Sequence, residues 1–327
     1  MDTLAEQLDS EVDQLRTLTF SEGTKKCYAT HLRAYTRFCN LIGCAPVPVS
    51  NVNLCRYIAF LGRTKKYNTV SQYLNIVRIL HLEHGLKNPL TDNFVSNCVL
   101  KGLKQKTGVL QKQKKPLTPA LLLDIKSALN FENLFDVCFW AACLTCFFGL
   151  LRISNVCTGT ESSNVHCIQR KDLLVTQKGC VINVHSSKTI QFAERVFQVA
   201  LPFMCDNPLC PTSALIKFIS QAGPTFAGSQ ELFAYQINGS VTRLTQINFR
   251  AKLKQCLPPH LEAVDYNSHS LRRGGCSYLL SCGVPLEAIK AIGDWKSLAV
   301  FEYMQPDLDF KFRAVTTALE KVNCVPT

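Results

Sequence analysis

The feature that most constrains the fold is an uncharged run near the middle of the chain. Val137 to Leu151 carries no charged residue over 15 positions, and Asp136 and Arg152 bound it. A helix that crosses a bilayer needs about 20 apolar residues, so this run is too short to cross one. It predicts instead a helix that is buried on all sides and ends at Arg152. We therefore expect a soluble protein, with no membrane partner, whose second half builds a core around this helix.

The length of 327 residues is enough for two domains with well-filled cores, and the 47% hydrophobic share is ordinary for globular proteins. There are 17 cysteines, and Met1 leads into an acidic stretch rather than a signal peptide. So many thiols without secretion indicate a reducing compartment, where buried cysteines serve as small hydrophobic residues. Cys205 and Cys210 have no His or second Cys pair near them, so no zinc site is predicted.

The net charge of +12 is distributed unevenly along the chain. Residues 1–20 hold five acids and one Arg, whereas residues 21–115 hold 16 Lys and Arg against three Asp and Glu. Residues 116–327 are close to balance, with 19 bases and 16 acids. A basic excess with so few interspersed acids indicates a polyanionic partner for the first half of the chain.

The first half of the chain reads as helical. Residues 1–20 form an acidic tail whose leucines keep helical spacing, which leaves a partner-docking helix and a disordered tail both open. Residues 21–106 contain four apolar-periodic segments that Gly43, Gly62 and Gly85 separate, and they predict an all-helical domain. Residues 107–116 are polar and basic and end in Pro, which predicts a linker. Its lysines are open to three readings, namely DNA backbone contacts, a nuclear-import signal or a solvated linker.

Residues 117–327 predict an α+β domain. Thr118 before Pro119 is a typical start of a helix, and the buried helix follows. Two short β-prone runs flank a Lys178-Gly179 turn, and a third alternating run begins at Arg195. These runs predict a three-stranded antiparallel sheet with Lys188 in its second turn, after which the chain is again mostly helical. The predicted fold class is mainly α with a small antiparallel β-sheet.

The segment from His269 to Tyr303 concentrates groups suited to phosphate chemistry. His269 and Arg272 are three residues apart and share a helix face, and Asn267 or Ser268 is a suitable N-cap. Helix N-termini favour phosphate. Gly274 and Gly275 follow within the same helix, where each glycine costs about 1 kcal/mol against Ala and so indicates a close backbone approach.

The remaining candidates are weak when each is taken alone. Arg152 at the end of a helix often only complements the dipole, and Lys188 in a turn is usually solvated. Trp295 and Tyr303 resemble core aromatics, although Tyr becomes a usable nucleophile beside cations. The chain has no phosphate-binding glycine loop, serine-hydrolase elbow or zinc-protease motif, so we expect no metal and no cofactor.

Taken together and in order, these residues resemble the tyrosine recombinases, also called the phage integrase family. The family pattern is Arg, Lys, His-x-x-Arg, His or Trp, and Tyr, and the matching positions are Arg152, Lys188, His269, Arg272, Trp295 and Tyr303. The likeness covers nearly the whole chain. It implies a core-binding, SAM-like helical domain at 21–106, a linker at 107–116 and a catalytic domain at 117–327.

Two blocks look most like recombinases of eukaryotic mobile elements, the DIRS, Ngaro and Crypton groups. One is Gly293-Asp294-Trp295 with the Lys-Ser that follows, and the other is the segment from Arg152 to Asn155. Bacterial members usually have Leu-Gly-His at the first block and an acid in place of Asn155. The resemblance therefore implies a nuclear protein that recombines or integrates the DNA of a mobile element.

The resemblance also implies a mechanism and residue roles. Tyr303 attacks a DNA phosphodiester and forms a 3′-phosphotyrosyl link, while Arg152 and Arg272 hold the non-bridging oxygens. Lys188 protonates the departing 5′ oxygen, and His269 either accepts the Tyr303 proton or holds the phosphate. Trp295 packs against the site and donates its indole N–H. Exchange between two duplexes needs four protomers, so a homotetramer is implied in the synaptic complex, with a monomer or dimer when free.

Double-stranded DNA is the implied partner, and the basic residues expected to contact it lie mostly in the first half. They are Lys25, Lys26, Arg33, Arg37, Lys65, Lys66, Lys104, Lys106, Lys114, Lys115 and Arg273. Two other functions remain open from the sequence. One is a non-catalytic DNA-binding protein derived from a mobile element, and the other is an activity like that of type IB topoisomerases.

Overall fold

The computed structural model describes residues 3–108, 113–159, 167–187, 189–190, 194–223, 231–237, 239–304 and 308–322. The chain divides into two compact units, Met1–Lys112 and Gln113–Thr327. No helix within the described ranges is long and apolar enough to span a membrane.

The first unit is helical throughout its described residues. Its helices are α1 Leu4–Leu18, α2 Glu22–Ile42, α3 Asn51–Gly62, α4 Tyr67–Glu83 and α5 Phe94–Thr107. The Ser21 side chain caps α2, and Gly43 ends that helix with φ 65°, a conformation that glycine adopts at no steric cost. The core of this unit is aromatic and aliphatic, with Tyr35 and Tyr57 fully buried against each other.

The sequence left both a docking helix and a disordered segment open for the acidic tail, and the described part of that tail is the helix α1. It has a complete capping box at Thr3 and Glu6, and none of its side chains is buried. Its apolar positions face solvent, with Leu4 71% and Leu15 67% exposed. The tail is therefore a helix with an uncovered apolar stripe.

The second unit surrounds the predicted buried helix. Its helices are α6 Pro119–Ser127, α7 Leu134–Phe148, α8 Ile153–Val156, α9 Pro211–Ala222, α10 Gln246–Gln255, α11 His269–Ser281, α12 Leu286–Gly293 and α13 Leu308–Val322. Twelve of the 15 residues of α7 are buried, and α9 and α11 pack on it. The prediction of a helix buried on all sides is confirmed.

The end of the buried helix was predicted wrongly. Helix α7 ends at Phe148 rather than at Arg152, and Leu150 adopts a left-handed conformation with φ 48°. Arg152 is extended and precedes the short helix α8. An apolar run does not reveal where a helix stops when the turn that follows is apolar too, so the dipole reading of Arg152 is also wrong.

The three-stranded antiparallel sheet is confirmed, with β1 Leu173–Thr176, β2 Gly179–Val184 and β3 Phe197–Pro202 in sequence order. A second hairpin, β4 Ala234–Ile237 with β5 Ser240–Arg243, was not predicted. Its signal was present in the sequence, since Asn-Gly at 238–239 is a strong marker of a two-residue hairpin loop.

The predicted linker is in part bound to the second unit. The backbone N–H of Lys115 donates to the carbonyl of Asp265, and that of Leu117 donates to the carbonyl of Ser270. Residues 113–117 therefore run along the segment that leads into α11. Residues 109–112 lie outside the described part of the chain.

Candidate active site

Helix α11 brings the predicted His269 and Arg272 to the site at different depths. The N-cap residue of the helix is Ser268, which makes no side-chain capping hydrogen bond, and the backbone N–H of His269 instead donates to Asn267 Oδ1 over 2.8 Å. His269 is exposed, whereas Arg272, one turn further on, is 2% exposed. The same helix thus carries one group at the surface and one charge into the interior.

The guanidinium of Arg272 lies against two aromatic rings. Its central carbon is 4.1 Å from the Trp295 ring centroid and 5.2 Å from that of Tyr303. The two rings are themselves 5.2 Å apart. The structure therefore brings three of the six predicted residues into one cluster, although Trp295 and Tyr303 lie 23 and 31 positions after Arg272.

Main-chain carbonyls hold the guanidinium in place. Its Nη1 donates to the Leu150 carbonyl and its Nη2 to the Gly293 carbonyl, the latter over 2.7 Å. Leu150, two residues after the end of α7, is the residue with φ 48°. That left-handed conformation is costly for a residue with a Cβ, and here it accompanies a carbonyl bonded to a buried charge.

The electrostatics of the cluster favour an anion. Burial and, to a smaller extent, the charge of Arg152 lower the pKa of Arg272 to about 10. No carboxylate pairs with Arg272 in the described part of the chain, and its Nε is buried without a hydrogen-bond partner there. Two interacting positive charges, one of them with an unused donor, suit an anion such as phosphate.

Three glycines set the packing of the cluster. A Cβ on Gly293 would lie 1.8 Å from the Trp295 ring. A Cβ on Gly274 would lie 2.0 Å from the Leu117 carbonyl oxygen, and one on Gly275 would lie 1.9 Å from that of Phe147. The close backbone approach predicted for Gly274 and Gly275 is confirmed, and it seats α11 directly against the end of α7.

Arg273 is bonded to other parts of the second unit. It is 7% exposed, its Nη2 donates to Gln113 Oε1 over 2.7 Å, and its Nη1 donates to the Glu302 carbonyl. The predicted DNA-binding role of Arg273 stays a prediction. Arg273 fixes the residue that precedes Tyr303 to helix α11.

Lys188 lies outside the described residues, so its predicted position stays a prediction. The residues on either side of it are described. Ser187 and Ile190 exchange backbone hydrogen bonds of 3.0 and 3.1 Å across the β2–β3 connection. The amide of Asn155 donates to the Ser186 carbonyl over 3.1 Å, which joins this turn to α8, the helix that follows Arg152.

The predicted DNA-binding residues fall into two groups. Lys25, Lys26, Arg33, Arg37, Lys65, Lys66, Lys104 and Lys106 lie on the first unit, and all are exposed or half-buried. In the second unit Lys114 Nζ donates to the Val264 carbonyl, and Lys115 Nζ lies 2.9 Å from Asp265 Oδ2. These two lysines hold residues 113–117 to the second unit, a role that the sequence did not predict.

Two residues of the site were missed from the sequence. Asp294, which directly precedes Trp295, forms an ion pair with Arg195 in the β2–β3 connection, with 2.6 Å between Asp294 Oδ1 and Arg195 Nη2. Asp294 belongs to the Gly293-Asp294-Trp295 block, which the sequence analysis used for Trp295 and the family resemblance. Nothing in the sequence around Arg195 indicated that it belongs to the site. Among the described residues, no group of three or more His, Cys, Asp or Glu could hold a metal ion.

Comparison with known proteins gives one curated relative and several solved structures. No family model matches the chain. An integrase/recombinase xerD homolog from Selenomonas ruminantium is 27% identical over 213 residues, which cover 63% of this chain and 59% of the relative. The match therefore spans less than two thirds of the length of that relative.

Solved structures resemble the chain over most of its length. The Tn1549 transposon integrase in complex with circular intermediate DNA has a TM-score of 0.58 and 17% identity, covering 93% of this chain and 97% of that one. A lambda integrase tetramer bound to a Holliday junction has a TM-score of 0.59 and 14% identity, covering 93% and 78%. These likenesses show the fold, and the curated relative is named as an integrase/recombinase.

Proposed function

We propose that this chain, with its tyrosine recombinase fold, is a site-specific DNA recombinase that cleaves and rejoins DNA through a 3′-phosphotyrosyl intermediate. One observation carries the proposal. A buried Arg272 without a carboxylate partner among the described residues contacts the ring of Tyr303 and lies within electrostatic reach of Arg152. A nucleophile beside a buried cation that interacts with a second cation suits the binding of a phosphate.

The proposed reaction exchanges one ester bond for another. Tyr303 Oη bonds to the phosphorus, the bond from phosphorus to the 5′ oxygen breaks, and the phosphate stays on the 3′ end of the broken strand. The phenolic proton passes to His269 or to solvent, and the 5′ oxygen takes a proton from Lys188. The 5′-OH of a second strand reverses the step, so strand exchange needs no metal and no nucleotide hydrolysis.

Arg152 and Arg272 act on the charge that builds on the non-bridging oxygens in the transition state. Each preorganised donor of this kind is worth about 3–4 kcal/mol in the barrier. Trp295 keeps water from the guanidinium by covering its face, and cation–π contact compensates the lost hydration. The carbonyls of Leu150 and Gly293 fix the orientation of the fork before substrate arrives.

The DNA partner is supported by charge. Residues 21–115 carry 16 bases against three acids, and the eight predicted contacts of the first unit are all at least partly accessible. Lysine and arginine side chains of this kind neutralise backbone phosphates and fix the position of a protein on a duplex. The curated relative and the structural neighbours are named as integrases or recombinases, which supports the same partner.

A homotetramer in the synaptic complex is part of the proposal, with a monomer or dimer when free. Helix α13 carries Leu308, Phe312, Val315 and Leu319 at spacings of four and three, and each is at least 60% exposed. Such a stripe needs a surface to cover it. A neighbouring protomer on a second DNA site supplies one, and the lambda integrase tetramer bound to a Holliday junction supports that arrangement.

The biological setting belongs to the proposal as well. We infer that the chain serves a mobile element of eukaryotic type and acts in the nucleus. The supporting observations are the Gly293-Asp294-Trp295 block and the segment from Arg152 to Asn155, together with a transposon integrase among the structural neighbours. Terminal repeats and a neighbouring reverse-transcriptase gene in the flanking DNA would test the mobile-element origin.

The activity is tested with a nicked suicide duplex whose binding has been verified by gel shift. Cleavage on such a duplex traps the protein, because the short 5′-OH fragment is lost. We expect a covalent protein–DNA adduct from the wild type and from Tyr278→Phe, a matched tyrosine on α11. Tyr303→Phe should bind the duplex and form no adduct.

Two other outcomes would replace the proposal. No adduct from either the wild type or Tyr303→Phe on a verified site would indicate a non-catalytic DNA-binding protein. Relaxation of supercoiled plasmid without sequence preference would indicate an activity like that of type IB topoisomerases.

A further inference from the structure

The proposed nucleophile Tyr303 lies at the end of a segment with little apolar anchoring. It follows the short 3₁₀ turn Leu298–Glu302, in which Val300 is fully buried. Leu298 and Phe301 in the same turn are 69% and 52% exposed. A segment with few buried apolar side chains opens easily, so its position depends on polar contacts. That position matters for attack on a phosphodiester, because a misplacement of about 1 Å can cost about 100-fold in rate.

Helix α11 supplies two polar contacts to this segment. Arg273 Nη1 donates to the carbonyl of Glu302, the residue directly before Tyr303. One turn further along the helix, Ser277 Oγ lies 3.5 Å from the carbonyl oxygen of Tyr303. The Arg273 bond is the stronger of the two, because its donor is charged and the Ser277 distance is at the limit for a hydrogen bond. Of these two contacts, Arg273 is therefore the main tether of the nucleophile to α11.

The second arm of the same guanidinium is bonded to the start of the second unit. Arg273 Nη2 donates to Gln113 Oε1 over 2.7 Å. Gln113 leads into residues 114–117, which are themselves bonded to the start of α11 and to the residues before it. A guanidinium is planar and rigid, so the bond to Gln113 also limits the direction of the arm that reaches Glu302.

Arg273 is held where its charge acts on Tyr303. The residue is only 7% exposed, and burial lowers its pKa, whereas electrostatic interaction with Tyr303 acts in the opposite direction. The acceptors of its two bonds, the Glu302 carbonyl and the Gln113 amide, are neutral oxygens. A buried cation bonded to neutral oxygens gains less than one in an ion pair, so fold stability is a weak reason for a cation here.

We propose that Arg273 is a positioning residue for Tyr303, which holds the Glu302 carbonyl with one arm while Gln113 fixes the other. The inference rests on the proposed function, because it assumes that Tyr303 attacks DNA. Arg273 acts through the backbone of the residue before the nucleophile. Its loss should misplace Tyr303 and slow the cleavage of bound DNA, and it should leave the affinity for DNA unchanged.

Three measurements separate positioning from a structural role and from a DNA contact. Single-turnover cleavage of the suicide duplex at saturating protein gives the rate of the chemical step. Gel shifts over a range of salt give the affinity for DNA and the number of phosphates neutralised. A 3-fluorotyrosine incorporated in place of Tyr303 gives a fluorine NMR signal, which reports the surroundings of that ring without requiring catalysis.

Three variants change the Arg273 bonds, and two others are matched controls. Arg273→Met removes both bonds and keeps much of the side-chain volume. Gln113→Leu removes one acceptor at an exposed position, and Gln113→Glu keeps an acceptor oxygen there. Arg250→Met and Gln246→Leu break a bond of the same kind on α10, where Arg250 Nη2 donates to Gln246 Oε1 over 2.9 Å. Thermal melts establish that each variant is folded, and Gln113→Leu carries the test if Arg273→Met does not fold.

We expect Arg273→Met to cleave bound DNA about 10–100-fold more slowly than wild type, as a misplaced nucleophile does. Gln113→Leu should be slower by about threefold or more, the effect of one lost hydrogen bond, and Gln113→Glu should stay within about twofold of wild type. The fluorine signal should broaden or move towards that of free fluorotyrosine in Arg273→Met and Gln113→Leu but not in the controls. The salt slope of binding should not change, whereas a phosphate contact would reduce its magnitude by about 1.

Three results would overturn the inference. Wild-type cleavage rates in both Arg273→Met and Gln113→Leu would show that the bonds are dispensable. A reduced salt slope with normal cleavage of bound DNA would make Arg273 a DNA contact. An unchanged fluorine signal would show that the position of the ring does not depend on Arg273. A wild type that binds but forms no adduct would instead refute the proposed function, and the fluorine signal would still decide whether Arg273 positions Tyr303.

Discussion

A charge that is 2% exposed must be stabilised by something other than water, and at the residue scale this requirement explains the surroundings of Arg272. Two carbonyls and two aromatic faces partly replace its hydration, while Arg152 opposes it. Burial puts the pKa of Arg272 below the ordinary value of 12.5, so the unfolded chain holds the proton more tightly. The buried charge therefore opposes folding at pH values below about 10, which includes neutral pH.

Arg152→Met should separate stability from activity. The substitution removes the like charge near Arg272, so we expect the free energy of unfolding to stay equal or to rise by up to about 1 kcal/mol, since a half-exposed charge is screened by solvent. Adduct formation on the suicide duplex should be lost. Urea unfolding at neutral pH measures the first quantity and gel analysis the second.

Sulfate provides the control for this prediction. An anion between the two guanidinium groups should raise the melting temperature of the wild type more than that of Arg152→Met. A variant that is clearly less stable than wild type in the absence of anion would show that Arg152 is needed for the fold and contradict the repulsion.

The sequence predicted the residues of the cluster only from their order along the chain, and not from any local signal at each one. His269 with Arg272 was visible from helical spacing, and the family pattern assigned Arg272 to catalysis and left Arg273 as a predicted DNA contact. The structure separates them, because one guanidinium meets Trp295 and Tyr303 and the other holds the Glu302 carbonyl. Which of two adjacent arginines enters the site depends on packing between segments far apart in the chain.

At the element scale, the site depends on the direct contact between α11 and α7. Gly275→Ala would place a Cβ 1.9 Å from the Phe147 carbonyl oxygen, so the two helices would have to separate. We expect a loss of stability of about 1–3 kcal/mol, as for other overpacked cores, and a larger fractional loss of cleavage because Arg272 moves with α11. Urea unfolding and single-turnover cleavage measure the two effects.

Gly102→Ala is the matched control for that substitution. It is also a glycine inside a helix, in α5, but a Cβ there meets nothing within 4 Å. We expect a gain of about 0.4–1 kcal/mol from the reduced entropy of the unfolded chain. If Gly275→Ala behaved like Gly102→Ala, the close contact would not constrain the site.

Helix ends that are marked by a capping residue or a glycine were predictable. Gly43 ends α2 and Thr118 caps α6 as the sequence indicates, because glycine and a capping hydroxyl have local physical effects. The end of α7 was not predictable, since Gly149 to Leu151 continue the apolar run while the backbone turns at Leu150. Tertiary packing, with the Arg272 bond to the Leu150 carbonyl, decides that boundary.

At the scale of the whole molecule, the distribution of charge and the burial of the cysteines agree with what the composition indicates. The basic excess lies in residues 21–115, as counted from the sequence. Burial raises the pKa of the Cys138 and Cys143 thiols well above the ordinary range, and many of the cysteines are packed as small hydrophobic groups. Composition could predict both properties, but it could not predict which lysines are used within the protein, such as Lys115.

DNA affinity of the full chain should fall steeply with salt. If the first unit contacts phosphates, log K against log salt should be linear, with a slope of about −0.9 for each phosphate neutralised. Arg37→Gln, at an exposed position of α2, should reduce the magnitude of the slope by about 1. Lys115→Gln is the comparison, because Lys115 is paired with Asp265 and should change the slope less. Equal slopes for wild type and Arg37→Gln would remove that residue from the interface.

The central claim is that Tyr303 forms the covalent link to DNA, and mass spectrometry of the trapped adduct tests it most directly. After digestion with protease and nuclease, we expect a nucleotide joined through its 3′ phosphate to the peptide that contains Tyr303. The centre of the Tyr303 ring lies 5.2 Å from the central carbon of the Arg272 guanidinium, beside the proposed phosphate site. A link to any other residue, a 5′ phosphate link, or an adduct that persists in Tyr303→Phe would contradict the account.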